Sequence, residues 1–323
     1  MEKTDDIPDL IPLPTPHTAD GQSRRVGVEV EMGGLPAAQV AAGLAMACGG
    51  TVDEHSAHAF EVSGSRFGDV EVYLDTRFRK EAETWLHQGG LDLAQLVVPV
   101  EVVTPPIEPD LLGELDHAMQ ALADAGATGT ADGLLLGFGV HLNVEIAGES
   151  ADQIGAVLTS FALLEETLRD TLQIDATRRL LPFTARYPTA MIDRLVAERG
   201  AGMDALVQLY LDENPTRNSA LDMLPVFAHL APDAVAERIT DDAVTARPTY
   251  HYRLPDCRLD ESGWSITAEW NRWTVIERAA RDPILSELCA AWLEHRAAWP
   301  EGRGQWAKTA ADILRAHGLE FPA

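Results

Sequence analysis

Val26-Gly27-Val28-Glu29-Val30-Glu31-Met32 alternates apolar positions with a glycine and two glutamates at the two-residue period of a pleated strand. Val26, Val28 and Val30 then face a core, and Glu29 and Glu31 share the other side. Residues two apart on one face lie roughly 6.5–7 Å from each other. At an effective dielectric near 20, two carboxylates at that spacing repel by about 2 kcal/mol. Water at an open surface absorbs that cost. In a cleft the same pair raises a pKa or recruits a divalent cation. An edge strand with a solvated acidic face is the alternative reading of this stretch taken alone.

Further segments repeat the pattern. Asp69 to Asp75 sets Val70, Val72 and Leu74 against Asp69, Glu71, Tyr73 and Asp75. Leu96 to Val103 is apolar except for Glu101, and a lone charge in such a run is usually paired or functional. Pro99 inside it cannot donate to a ladder, which implies an edge or a bulge. Gly139 to Ile146 sets His141, Asn143 and Glu145 against Val140, Leu142, Val144 and Ile146. Stacked in one sheet, these polar faces form a floor of carboxylates, a histidine and an amide, suited to a metal together with anionic phosphate.

Helical signals separate the strands. Pro36 fits a first turn, and Ala37 to Cys48 continues as a helix closed by Gly49-Gly50. Helices are also expected over Arg77–His87, Asp110–Ala125, Ala151–Gln173 and several stretches of Met191–Arg238, with Asp204, Asp222 and Asp233 as caps. Arg247 to Arg258 alternates again, with His251 and Arg253 opposite Tyr250, Tyr252 and Leu254. Three more helices follow, one opening at Trp264, one running through Trp292 and one over Arg303–His317; their tryptophans read as packing. Arg178, Arg179 and Arg186 cluster in a linker, either as an anion cradle or as surface pairs. The sum is an α+β fold: a mainly antiparallel sheet with helices on one face, in a single domain over 23–323 behind an extended or disordered tail over 1–22.

The 323 residues carry 51 acidic and 25 basic side chains, a formal charge of -26, which argues against nucleic acid and anionic membranes as partners. Cys48, Cys257 and Cys289 show no paired spacing, consistent with a reducing compartment and no structural zinc. With no apolar run of membrane-spanning length and no signal-peptide core, a cytoplasmic location is expected. The chain lacks the Gly-x-x-x-x-Gly-Lys-Ser/Thr phosphate loop, His-Glu-x-x-His and Gly-x-Ser-x-Gly.

Four of these segments, in this order, resemble the motifs of the amidoligase family. Gly27-Val28-Glu29-Val30-Glu31 is similar to its Gly-x-Glu-x-Glu strand, and Glu101-Val102-Val103-Thr104-Pro105-Pro106 to its Glu-hydrophobic-hydrophobic-Ser/Thr-Pro-Pro segment. Gly139-Val140-His141-Leu142-Asn143 resembles its Gly-hydrophobic-His-x-His strand, and Tyr252-Arg253 its late aromatic-Arg pair. The resemblance spans about Arg24 to Ala280. It implies a carboxylate–amine ligase with a glutamine-synthetase-like catalytic sheet, using ATP and Mg2+ through an acyl-phosphate on small-molecule or peptide substrates. By the same resemblance Glu29, Glu31 and Glu101 hold metal, with Glu101 also catalytic. His141 and Asn143 face the nucleotide phosphates or the metal, and Arg253 holds the transferred phosphoryl group. Two positions depart from the pattern: Asn143 stands at the second histidine, and Tyr73 where a glutamate is more usual. Asparagine still offers an oxygen but cannot act as a base near neutral pH.

That chemistry suits the residues. A free carboxylate is a poor electrophile, and phosphoryl transfer needs its charge neutralised by metal and a fixed guanidinium. A phosphotransferase on the same kind of sheet, and a non-catalytic protein that holds metal or ligand, stay open as alternatives.

Overall fold

The computed structural model describes residues 7–75, 98–130, 137–174, 184–240, 244–300 and 303–322. The helix expected over Arg77–His87, the start of the strand at Leu96, Arg178 and Arg179 lie outside them.

Among the described residues eight strands form one antiparallel sheet: β1 (Val26–Met32), β2 (Thr51–Ser56), β3 (Ala59–Ser65), β4 (Gly68–Leu74), β5 (Val100–Val103), β6 (Val140–Glu145), β7 (Leu221–Asp222) and β8 (Thr249–Tyr252). Their order is β2-β3-β4-β5-β1-β6-β8-β7, so β1 is central and no edge. Register sorts the side chains. Val26, Val28 and Val30 stand opposite Val144, Leu142 and Val140, and Val30 and Met32 opposite Val102 and Val100, all buried. Opposite residues share a face, so the alternation read in β1, β4, β6 and β8, together with the apolar run that contains β5, builds one continuous apolar layer. The reading of Pro99 as an edge or bulge needs correction: it sits just before β5, whose two neighbours β4 and β1 both pair with it. There its missing N–H costs no ladder bond.

Helices α1 (Ala37–Cys48), α2 (Leu112–Asp124), α3 (Ala151–Leu172) and α8 (Ile266–Ala279) form a packed layer against this apolar side. α1 packs on β2 to β4, and Trp273 of α8 and Phe161 of α3 meet the Tyr252 ring. Smaller helices α4 (Thr189–Ala197), α5 (Met203–Glu213), α6 (Leu224–Leu230) and α7 (Pro232–Arg238) follow α3, and α9 (Ile284–Ala298) and α10 (Trp306–Ala316) close the chain. Gly34 turns β1 toward α1 at φ 80°, where a Cβ would lie 2.2 Å from the Gly126 carbonyl oxygen. Trp270, Trp273, Trp292 and Trp306 are buried packing residues. No helix among the described residues is long and apolar enough to cross a membrane.

Two polar devices fix the strand nearest the site. Arg24 donates to both carboxylate oxygens of buried Glu277 on α8 (2.8 and 2.7 Å) and to the Glu145 carbonyl, tying the start of β1 to the helix layer. Thr104 follows β5 where Pro105 interrupts the ladder, and its hydroxyl accepts the Val28 N–H at 3.0 Å. Thr104→Val is expected to leave that buried donor unmet and to cost about 1–3 kcal/mol, read by urea denaturation. α8 grips the proline-rich segment: Asn271 accepts the Ile11 N–H, and Trp270 and Asn271 donate to the Ile11 and Asp9 carbonyls.

Candidate active site

The other face of the sheet gathers the polar residues. Glu29 and Glu31 share a side of β1; Glu101 stands opposite Glu31, and His141 opposite Glu29. One strand further, His251 lies opposite Asn143, and Asp222 opposite His251. Tyr73 stands opposite Glu101. Arg253 follows two residues after His251, on the same side by strand alternation. The sheet therefore brings together all six residues expected there: Glu29, Glu31, Glu101, His141, Asn143 and Arg253. The acidic face is not solvated, with Glu31 6%, Glu101 7% and Arg253 7% exposed.

Hydrogen bonds order the floor. Glu29 accepts from His141 Nδ1 and from Asn143 Nδ2, each at 2.8 Å. Glu31 accepts the Gly139 backbone N–H at 2.7 Å. Arg253 donates to the Arg217 carbonyl at 2.6 Å, and its own N–H goes to the Ala220 carbonyl. Among the described residues neither ring nitrogen of His251 has a hydrogen bond; Glu29 lies 3.8 Å and Asp222 3.6 Å from them, and the ring stands edge-on to His141.

Charge is distributed unevenly over the three carboxylates. Burial pushes Glu101 well above the usual carboxylate range, and the charges of Glu29, Glu31 and Asp75 add to it. Burial also opposes ionisation of Glu29, but its His141 bond and the neighbouring His251 ring outweigh that and hold it well below the usual range. Burial drives His141 down to about 3 despite Glu29, so its ring is neutral. An ionised Glu29 only accepts, so Nδ1 of His141 carries the hydrogen and Nε2 keeps its lone pair. Burial holds Tyr73 protonated, with Glu101 acting in the same direction.

These shifts have opposite consequences for the metal-free protein. Glu101, with a raised folded pKa, contributes stability below its ordinary 4.5 that disappears as pH climbs through the folded value. Glu29, depressed, contributes stability above 4.5 that is lost as pH falls through its folded value. In EDTA, Glu101→Gln is therefore expected to gain stability relative to the wild type as pH rises above 4.5, read by urea denaturation at each pH. An identical pH trend in both proteins would contradict the assignment.

Two sets of ligand atoms lie within 4.8 Å of one another: Glu31, Glu101 and His141, and Glu29, His141 and His251. Carboxylate oxygens with an imidazole suit a divalent cation. His251 received no role from the sequence, although its alternation with Arg253 points it to this face. Asp222 was expected as a helix cap. Its Oδ1 does accept the Leu224 N–H at 2.9 Å, but Oδ2 faces His251. Arg186 is an exposed partner of Glu166, not part of an anion cradle at the sheet.

The described residues thus form a helix-covered antiparallel sheet with a buried face of carboxylates, histidines and arginine. A model of the family described as "Putative amidoligase enzyme" matches residues 22–275, and the chain belongs to that family. No curated protein and no solved structure matches the chain.

Proposed function

We propose that the chain is a ligase that uses ATP and magnesium to join a carboxylate to an amine through an acyl-phosphate, on a sheet of the glutamine-synthetase-like kind. The observation that carries this reading is the convergence of Glu31, Glu101 and His141 beside Glu29, on the face that also bears Arg253. Membership of the amidoligase family supports the ligase class.

Glu31, Glu101 and the lone pair of His141 Nε2 are the groups that would hold magnesium, which when bound neutralises charge on the nucleotide and substrate oxygens. Glu29 acts behind them: by accepting from Nδ1 it fixes the tautomer in which His141 is a ligand rather than a donor. With His141 and His251 it also forms a second set of potential ligand atoms within 4.8 Å of one another. Asn143, standing where the family more often has histidine, braces Glu29 through its Nδ2. Arg253 offers a guanidinium for the oxygens of the transferred phosphoryl group.

The test supplies magnesium, ATP, a library of carboxylic acids and hydroxylamine as the amine. Hydroxylamine attacks an acyl-phosphate at its carbonyl carbon and releases phosphate, leaving a stable hydroxamate. Hydroxamate and ADP in equal amounts are expected from the wild type, and neither from Glu101→Gln. A stable phosphorylated product would identify a phosphotransferase instead, and absence of ADP release with every acid would mark a protein that binds without turnover.

A further inference from the structure

Beyond Asn143 the polar face continues into a cavity of about 420 Å3 lined by Arg25, Glu108, Asn143, Glu145, Arg247 and Thr249, among others. Its size falls in the range of small-molecule sites. Asn143 forms the wall shared with the carboxylate floor. Because Glu29 can only accept, the Asn143 amide must turn its Nδ2 to that side. The carbonyl oxygen is thereby directed away from Glu29, and it has no hydrogen-bond partner among the described residues although Asn143 is only 6% exposed. Arg247 Nε and Thr249 Oγ1 are likewise buried without partners, while Arg247 reaches to 3.8 Å from Glu29. Buried polar atoms of this kind carry a desolvation cost that a ligand removes.

We infer that this cavity is a subsite for an α-amino acid, the amine-bearing substrate of the ligase. The orphaned groups ask for two opposite things at once. Asn143 Oδ1 needs an N–H donor; Arg247 Nε, on a guanidinium whose other end faces Glu29, needs an oxygen acceptor, best an anionic one. An ammonium and a carboxylate on one carbon satisfy both, and Thr249 can serve either. A simple carboxylic acid would leave Asn143 unmet. A nucleotide triphosphate would bring its charge against Glu108 and Glu145. Glu145 already accepts the Arg25 backbone N–H at 2.9 Å, and Arg25 lies 3.5 Å from Glu108. The substrate role, but not the binding, rests on the ligase reading above.

The experiment is calorimetric titration of the full chain with the proteinogenic L-amino acids, each also as its N-acetyl derivative and its methyl ester. At least one free amino acid is expected to bind saturably, with both blocked forms weaker by about a hundredfold or more, because acetylation removes the ammonium charge and adds bulk beside Asn143, and esterification removes the carboxylate charge that pairs with Arg247. Arg247→Gln, at a partly exposed position, should weaken that binding at least about tenfold. Its manganese affinity should be retained or raised, since a cation next to Glu29 is gone. Failure of every amino acid to bind, equal binding of the methyl ester, or unchanged affinity in Arg247→Gln would overturn the subsite. Hydroxamate formation reports on the ligase separately. A chain that makes hydroxamate but binds no amino acid loses only the subsite, and one that binds an amino acid but makes no hydroxamate loses only the ligase reading.

Discussion

Glu31→Gln is expected to lose magnesium-dependent ATP turnover by about a thousandfold or more while the fold survives. The glutamine carbonyl can still accept the Gly139 N–H that Glu31 accepts now, so the junction of β1 with β6 keeps its bond. What disappears is one negative charge from a set whose ligand atoms lie within 4.8 Å. Glu101→Gln should match it in activity, and in the metal-free state should be neutral or stabilising, because it removes a carboxyl that burial and its neighbours already hold protonated. Glu29→Gln is a different case. From the sequence, loss of any one charge on a crowded acidic face is expected to be neutral or mildly stabilising. Glu29, however, accepts two hydrogen bonds, and a glutamine amide would turn an NH2 against one of those donors. A cost of about 1–3 kcal/mol is therefore expected in addition to the lost turnover. Activity assays with denaturation curves in EDTA separate the cases, and a collapse of the metal-free Glu31→Gln or Glu101→Gln protein would make these carboxylates structural.

Arg253 carries the second large effect. It is buried beside an acidic floor: burial lowers its pKa, while Asp222, Glu31 and Glu29 favour its charge. Its guanidinium donates to the backbone carbonyl of Arg217, and the planar group carries five N–H donors in a fixed fork. Arg253→Lys keeps the charge but loses the two-pronged geometry, and should lower turnover at least about tenfold, some 1.4 kcal/mol of barrier, with nucleotide affinity changed much less. Arg253→Ala should lower it about a thousandfold, the scale of an arginine acting on a transferred phosphoryl group. Unchanged turnover in Arg253→Lys with a lowered melting temperature would assign the residue to the scaffold.

The strands that build the floor were legible because each has one wholly apolar side. In β1, β4, β6 and β8 the alternation reports the face directly, and the observed register puts Glu29, Glu101, His141 and Asn143 where that alternation requires. The β2–β3 hairpin left no such trace. Every residue of β2 is exposed, so nothing selects apolar side chains at alternate positions, and β3 ends in Ser63, Gly64 and Ser65. β7 has two residues, too few for a period, which is why Asp222 reads as a cap from sequence. Burial was the other blind spot. Alternation identifies Glu31 and Glu101 as sharing a side but not that this side is closed to water. The unpartnered atoms of Asn143, Arg247 and Thr249 emerge only when β6 and the segment entering β8 lie side by side.

The central claim, that this face holds divalent metal for use with a nucleotide, is tested most directly by a crystal grown with manganese and a non-hydrolysable ATP analogue. The account predicts anomalous peaks at about 2.0–2.3 Å from oxygens of Glu31 and Glu101, with the nucleotide phosphates bound to the same ions and the Arg253 guanidinium facing the terminal phosphate. Metal and nucleotide bound elsewhere, with Glu31, Glu101 and His141 unaltered and without an ion, would contradict it.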